Sequence, residues 1–243
     1  MLEGKRIGVV VPAYDEEARI LATIRSIPVF VDVVVVVDDA SRDETSEIVR
    51  SAPSAPGEAG RLHLVRHSVN RGAGAAIVSG YRRALELDVE VCVVMAGDGQ
   101  MDPRDLPKLL APVLAGRADY AKGDRFSHPD IHRAMPLQRY LAGRALSVAT
   151  ARASGLSALS DSQSGFTAIS RTALSAIDLD ALWPGYGYPN DLIGLVARAG
   201  LRIADVPVRP VYRGERSGVR AWHLATISLL IARVFARRLR APW

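Results

Sequence analysis

Cysteine is nearly absent: Cys92 is the single one in 243 residues. No intramolecular disulfide can form, which fits a reducing compartment. The five histidines, His63, His67, His128, His132 and His223, show no ligand spacing with cysteine, so a zinc site is not expected. No Gly-x-Ser-x-Gly turn is present, which argues against a serine hydrolase. Long apolar runs are lacking too. The apolar part of the last helical segment, Leu224 to Ala232, falls far short of the roughly 20 residues that span a bilayer. The N-terminus enters a short apolar run without a small-residue cleavage pattern, so no signal peptide is expected. Internal repeats and low-complexity tracts are missing as well.

What remains is of ordinary globular make-up, 49% hydrophobic and 23% charged, which suits one α/β domain. The net charge of +5 favours phosphate-rich ligands, anionic membranes or nucleic acid as partners. Four apolar runs read as buried strands: Ile7 to Val11, Val31 to Val37, Leu62 to Val65 and Val91 to Met95. They alternate with helical segments, which predicts a mostly parallel central sheet with helices on both faces. Pro12 is expected to end the first strand. Asp15 is expected to cap a helix carrying Ile20, Ile24 and Ile27. Later segments read as helices over 103–114, 137–153 and 188–199, and strands over 120–126, 167–170 and 203–208. The last helix, 219–239, has an apolar stripe of Ile227, Leu230, Ile231, Val234 and Phe235, with Arg233, Arg237 and Arg240 on another side. It fits either a core-packed helix with a solvated face or one lying in a membrane interface.

The chemistry gathers where the strands end. After Met95 comes Ala-Gly-Asp-Gly-Gln, with Asp98 between Gly97 and Gly99. A carboxylate at the end of a buried strand stands where α/β proteins place ligands. Asp98 and the Gln100 amide oxygen suit a divalent cation holding a diphosphate. They also suit a plain Asp-Gly turn. Asp38 and Asp39 close the second strand, either as a capping pair or as readers of a nucleoside edge. The run Gly72-x-Gly74 lacks the third glycine and the directly preceding strand of a dinucleotide fingerprint.

Six stretches in order, VVVPAYDEE (9–17), VDDASRDET (37–45), NRGAGAA (70–76), AGDGQMDP (96–103), DSQSGF (161–166) and YPND (188–191), resemble the family 2 glycosyltransferases of GT-A fold. The resemblance covers about residues 6 to 218. Within the family it is strongest to the polyprenyl-phosphate sugar transferases, the group of dolichol-phosphate mannose synthase. It implies a catalytic domain over 1–218 and a basic amphipathic helix over 219–243 suited to a membrane interface. Pro12, Ala13, Tyr14 and Glu16 would border the nucleoside of a UDP- or GDP-sugar. Asp39 would bond its base or ribose, and Arg71, with N–H groups of the next helix start, would approach the diphosphate. Asp98 matches the second acid of the family's Asp-x-Asp motif, and Ala96 replaces the first. Asp98 and Gln100 would hold Mg²⁺ or Mn²⁺, and Asp98 and Asp191 would be the catalytic pair. Asp191 matches the family's base-bearing acid and also fits a helix cap. Arg125 and Arg213 are the arginines chosen for phosphate. Arg209 and Arg216 read as surface charges, and Gly218 stands where the family has lysine. The activity implied is inverting transfer of a sugar to a polyprenyl phosphate. The site would face the cytoplasm with peripheral contact to the inner membrane surface, and no nucleic acid partner is expected. A soluble glycosyltransferase acting on a small molecule, and a nucleotide-sugar binder without activity, are the alternatives.

Overall fold

The runs around Val10 and Val35 have no polar face, as a strand covered on both sides requires. The structure is a computed structural model and describes residues 1–52, 60–211 and 221–240. In it these runs form β1 (Ile7–Ala13) and β2 (Val33–Asp38), buried almost throughout. With β3 (Leu62–Arg66), β4 (Val91–Val94), β5 (Tyr120–Asp124), β6 (Thr167–Ser170) and β7 (Ile203–Pro207) they make one sheet. The spatial order is β3-β2-β1-β4-β6-β5-β7. Strand β6 runs antiparallel to β4 and β5, and the other pairings are parallel. The expected mostly parallel α/β sheet is therefore present.

Alternate residues of the strands feed two apolar layers. Val10, Val35 and Val94 join one layer with Ile77, Tyr81 and Leu192 of helices α3 (Ala73–Glu86) and α8 (Tyr188–Arg198). Val9, Val36 and Val93 join the other with Ile20 of α1 (Ile20–Ser26) and Leu109 of α4 (Leu106–Leu114). Burying a Val or Leu fully is worth about 1.5–3 kcal/mol, so these two layers hold the sheet rigid. The chain runs outward from β1 to β3, then returns to place β4 on the other side of β1. The crevice between β1 and β4 is thus the switch point where α/β sheets bind ligands.

Two local expectations are corrected. Pro12 does not end β1; Pro12 and Ala13 pair with Val37 and Asp38. The ladder to β4 closes earlier, at Val10 and Val94, so the missing proline N–H breaks no rung. The Pro12 carbonyl still accepts the Gly97 N–H at 3.2 Å. Asp15 caps no helix, because α1 begins at Ile20. The Asp15 carboxylate instead accepts Arg42 N–H at 2.8 Å, across to the loop after β2. The helices α2 (Thr45–Arg50), α5 (Ile131–Ala134), α6 (Leu137–Ser154) and α7 (Arg171–Ala176) complete the fold up to α8. Of these α2, α5 and α7 are too short to give a periodic signal.

The last helix, α9 (Ala221–Leu239), packs on α6 and α8. Ile227, Leu230 and Val234 are buried as the stripe predicts, but Phe235 is 49% exposed. Close approach depends on glycines of the α8 region. A Cβ on Gly194 would lie 2.7 Å from Val234 Cγ1, and one on Gly187 would lie 2.9 Å from Leu230 Cδ1. Among the described residues no helix is long and apolar enough to cross a membrane. Gly194→Ala is expected to cost about 1–3 kcal/mol of unfolding free energy through overpacking. In urea denaturation Gly194→Ala with Val234→Ala should lose less than the sum of the two single losses. Additive losses would mean that this contact does not govern the docking of α9.

Candidate functional site

Loops after β1, β2 and β4 meet at the mouth of the sheet. The first two are laced together. The N–H groups of Asp15, Glu16 and Glu17 donate to Ser41 Oγ (3.0 Å), Thr45 Oγ1 (2.9 Å) and Asp43 Oδ2 (3.0 Å), and Arg42 N–H donates to Asp15 Oδ1 (2.8 Å). Asp15 and Ala40 both adopt positive φ, the kind of strained backbone that persists when its surroundings over-determine it. Pro12, Ala13, Tyr14 and Glu16 lie on this wall. Ala13 is buried, Pro12 and Glu16 are half-buried, and the Tyr14 ring is exposed.

Asp38 and Asp39 divide their work. Asp38 is fully buried; it accepts Ser41 N–H at 2.8 Å and the Ser46 hydroxyl, so it braces its own loop. Asp39 is a hub. Its Oδ1 lies 2.6 Å from His67 Nδ1 and accepts Arg71 N–H at 2.9 Å, and its Oδ2 accepts Gly72 N–H at 2.7 Å. Three of about four acceptor positions of the carboxylate are therefore used inside the protein. Asp39 thus fixes the turn into α3, besides any bond it makes to a nucleoside. His67 was passed over with the other histidines. It anchors Asp39 and reaches Ser79 Oγ through Nε2 at 2.8 Å. The β2–β3 register, which pairs Asp38 with Arg66, sets the next residues, Asp39 and His67, side by side.

The glycines after Arg71 serve packing. A Cβ on Gly72 would lie 2.6 Å from the Pro184 carbonyl oxygen, and one on Gly74 would lie 2.1 Å from that of Trp183. Ala75 N–H donates to Pro184 O at 3.0 Å. Of the N–H groups at the start of α3, expected to help bind a diphosphate, that of Ala75 is thus engaged within the protein, as are those of Arg71 and Gly72 just before the helix. The Arg71 side chain is exposed beside them.

Asp98 follows β4 in a bend where Gly99 has φ +71°. Its Oδ1 accepts Gln100 N–H at 2.9 Å. Asp98, Gln100, Arg125, Ser164 and Arg209 line a cavity of about 60 Å³. Its field reaches two neighbours. Burial and then Asp98 raise the Glu16 carboxyl, and burial and then Asp98 push the Tyr188 hydroxyl well up. Gly165 keeps this wall close, because a Cβ there would lie 2.7 Å from Tyr188 Oη. Arg125 is aimed by Asp161, Nε to Oδ2 at 2.7 Å and Nη2 to Oδ1 at 3.0 Å. Burial raises the Asp161 carboxyl, but Arg125 outweighs it and the net shift is downward. Arg209, read from sequence as a surface charge, is the cleft's second arginine. Its N–H donates to Asp105 at 2.8 Å and its Nη1 to Asp102 at 3.2 Å. The stretches 161–166 and 188–191 meet through Gln163 Nε2 and Asn190 Oδ1 at 2.9 Å, and Thr150 donates to the same oxygen at 2.8 Å.

Asp191 does not face this cleft. It is fully buried; Oδ2 accepts Trp183 N–H at 2.8 Å and Oδ1 accepts Arg237 Nη1 at 3.0 Å. A carboxylate held this way is neither an available base nor a cap, and both expectations are corrected. Arg213, Arg216 and Gly218 lie outside the described residues. A larger cavity, about 390 Å³, runs along α8 beside Gly155, Gly194 and Val234. It adjoins the C-terminal ends of α6 and α8, whose dipoles disfavour an anion. Arg198, Arg237, Arg238 and Asp191 also line it; the small cleft at Asp98, unlike this cavity, lies at the switch point of the sheet.

For a metal, the donors in the cleft are the Asp98 carboxylate and the Gln100 amide. Among the described residues no three His, Cys, Asp or Glu side chains form a cage. Few protein oxygens at an open mouth fit a hard cation such as Mg²⁺ or Mn²⁺, which keeps waters and takes phosphate oxygens.

Residues 8–177 match Glycosyl transferase family 2. The chain is 33% identical over 211 residues to an undecaprenyl-phosphate mannosyltransferase of Micrococcus luteus, covering 86% of this chain and 84% of the other. It is 27% identical over 218 residues to a UDP-N-acetylglucosamine–dolichyl-phosphate N-acetylglucosaminyltransferase of Methanococcus voltae, covering 86% of each. Glucosyl-3-phosphoglycerate synthase from Mycobacterium tuberculosis, solved with Mn²⁺ and UDP-glucose, superposes with a TM-score of 0.69 at 24% identity, over 99% of this chain and 81% of that one. This likeness shows a shared fold of GT-A type.

The lowered Asp161 carboxyl makes one prediction about pH. A depressed folded value adds stability that is present above the unfolded value, about 3.9, and is lost as pH falls through the folded one. Asp161→Asn should cost about 1.5–3 kcal/mol near neutrality, the worth of a hydrogen bond to a charged group. Below about pH 4 the gap to the parent chain should begin to narrow, and it should close only below the depressed folded value. Urea denaturation from pH 7 to pH 3 checks this, and a gap that stays constant would contradict the assignment.

Proposed function

Since the chain belongs to Glycosyl transferase family 2, we propose that it transfers a sugar with inversion from a UDP- or GDP-sugar to a polyprenyl phosphate. The observation that carries this is the Asp98 cleft at the switch point between β1 and β4, with Arg125 and Arg209 on its wall. The wall of Pro12, Ala13, Tyr14 and Glu16 borders the nucleoside, with Asp39 and Arg71 beside it. The leaving diphosphate lies at Asp98 between the two arginines, whose guanidinium geometry matches phosphate oxygens. As the acceptor oxygen bonds to the anomeric carbon, the bond to the diphosphate breaks, and fixed positive charge offsets the charge that grows there. Mg²⁺ or Mn²⁺, when bound at Asp98 and Gln100, supplies further positive charge at the same oxygens. Arg125 stays aimed because buried Asp161 grips it on two nitrogens.

The acceptor assignment draws on the relatives' names and on Asp191. A phosphate acceptor is already ionised at neutral pH and needs little base. A carboxylate sealed against Trp183 and Arg237 is consistent with that chemistry. Burial raises the Tyr186 hydroxyl while the charges of Arg139 and Arg125 pull it down, so both lie within electrostatic reach of it. That pair suits the acceptor's phosphate.

Residues 1–218 serve as the catalytic domain and 219–243 as its membrane-facing segment. Helices α6 and α9 contain no Asp or Glu. They expose Leu137, Leu141, Leu229, Phe235 and Leu239 among Arg139, Arg144, Arg152 and Arg238. Exposed apolar side chains among arginines favour an anionic bilayer surface. The reading is a peripheral protein on the cytoplasmic membrane face.

The test is release of UDP or GDP from a panel of sugar donors, with Mn²⁺ and a short polyprenyl phosphate. One nucleotide should appear, dependent on acceptor and lost with chelator. Asp98→Asn should lower kcat by about 10²–10³, as for loss of a group that stabilises developing charge. Presenting the acceptor in anionic vesicles should raise the rate, and Leu229→Glu with Phe235→Glu should remove that gain alone. Donor binding without acceptor-dependent release would sink the transferase reading. Transfer to a free sugar or small alcohol in preference to the lipid phosphate would sink the acceptor.

A further inference from the structure

Asp191 lies in the first turn of α8, three residues after Tyr188, which feels the charge of Asp98. Burying a carboxylate is unfavourable unless its partners are well placed. Here the partners come from two directions. From α9, Arg237 donates Nη1 to Asp191 Oδ1 at 3.0 Å and Nη2 to Ala181 O at 2.8 Å. Arg233 donates Nη2 to the same carbonyl at 3.0 Å. Its guanidinium carbon stands 5.8 Å from the Trp183 ring centroid, within cation–π range. From the connection before α8, Trp183 gives its backbone N–H to Asp191 Oδ2 at 2.8 Å. Residues 181–183 are therefore clamped between one acid of α8 and two arginines of α9.

The clamped segment continues directly into the donor side of the cleft. Trp183 Nε1 donates to Tyr186 O at 3.0 Å and closes the loop on itself. Pro184 O accepts Ala75 N–H from the first turn of α3. The carbonyls of Trp183 and Pro184 occupy the space that side chains at Gly74 and Gly72 would need. The Gly72 and Arg71 N–H groups in turn end on Asp39. Each link is a hydrogen bond or a close backbone contact.

We infer that Asp191 is a positioning residue: its buried carboxylate ties α9 to the Trp183–Pro184 segment and thereby sets the donor wall formed by Asp39, Arg71 and Gly72. This rests on the reading of that wall as the nucleotide-sugar site. It gives the two glycines a specific purpose, since they admit the clamped carbonyls against α3. It also makes α9 more than an attachment. The helix whose outer face meets the bilayer holds the donor wall through its inner face, by Arg237 and Arg233. A chain with α9 displaced would keep Asp98 and Arg125 in place and lose grip on the donor.

Asp191→Asn tests this with little change of volume. An amide oxygen still accepts the Trp183 N–H, but the charge that holds Arg237 is gone. Arg237→Gln breaks the same pair from the other side and settles the matter if the asparagine variant does not fold. In both, KM for the nucleotide-sugar should rise about 5- to 150-fold, the span of ordinary coupling between sites, with kcat within about twofold. The double variant should be no worse than either single one, because the residues act as one unit. Arg237→Lys, which restores a cation, should recover part of the loss. Amide exchange over residues 72–76 and 182–187 should quicken about tenfold as local opening becomes easier, while β1 and β4 stay protected. A fall in kcat at unchanged KM would overturn the proposal in favour of a catalytic base. Faster exchange throughout the chain would reduce Asp191 to general stability, and unchanged exchange at 72–76 would show that no coupling exists. If the parent chain binds no nucleotide, the donor-site reading fails, and the exchange data still decide the mechanical link.

Discussion

Loops carry backbone N–H groups that no ladder pairs, and in this protein aspartate carboxylates take several of them up. Asp39 accepts from Arg71 and Gly72, Asp38 from Ser41, Asp15 from Arg42, Asp98 from Gln100, Asp161 from Arg125 and Asp191 from Trp183. A buried N–H left without a partner costs about as much as a lost hydrogen bond. Each of these acids therefore determines a loop before it can do any chemistry. The site is a set of short loops pinned by charge above two apolar layers. That arrangement allows positive φ at Asp15 and Ala40 without helical or strand support.

Two kinds of acid emerge from this. Asp38, Asp39, Asp161 and Asp191 are buried and nearly saturated by the protein. They hold backbone or arginines in place. Asp98 is half-buried, borders a cavity and raises the Glu16 carboxyl and Tyr188 hydroxyl near it. An acid that burdens its neighbours in this way is relieved by a cation. This contrast separates the phosphate-handling acid from the supporting ones. Arg125 and Arg209 line the same cleft as Asp98, each held by a carboxylate of its own.

The sheet was legible because its signal is local. The valine runs of β1, β2 and β4 leave no polar face, and their spacing with helices allows few other folds. Ends were less legible. Pro12 looks like a terminator until the register shows that β4 has already closed its ladder. The order of the six sequence stretches identified the family, and Asp98 could be singled out by its glycines. The partners of Asp39 and Asp191 could not. His67 comes from a neighbouring strand end and Arg237 from a helix 46 residues further on, and pairings that depend on packed geometry leave no period in a single chain. Gly72 and Gly74 fit no phosphate fingerprint in the sequence, and only the packed structure shows their purpose, close contact with Trp183 and Pro184.

The central claim is that a nucleoside diphosphate binds at the sheet mouth with its phosphates at Asp98. A crystal structure of the protein soaked with UDP or GDP and Mn²⁺ tests it directly, since manganese scatters anomalously and marks its own position. The expected result is a manganese peak joining the Asp98 carboxylate to the diphosphate, with the base against Tyr14 and Asp39. A nucleotide seated in the larger cavity along α8, or manganese bound away from Asp98, would contradict it.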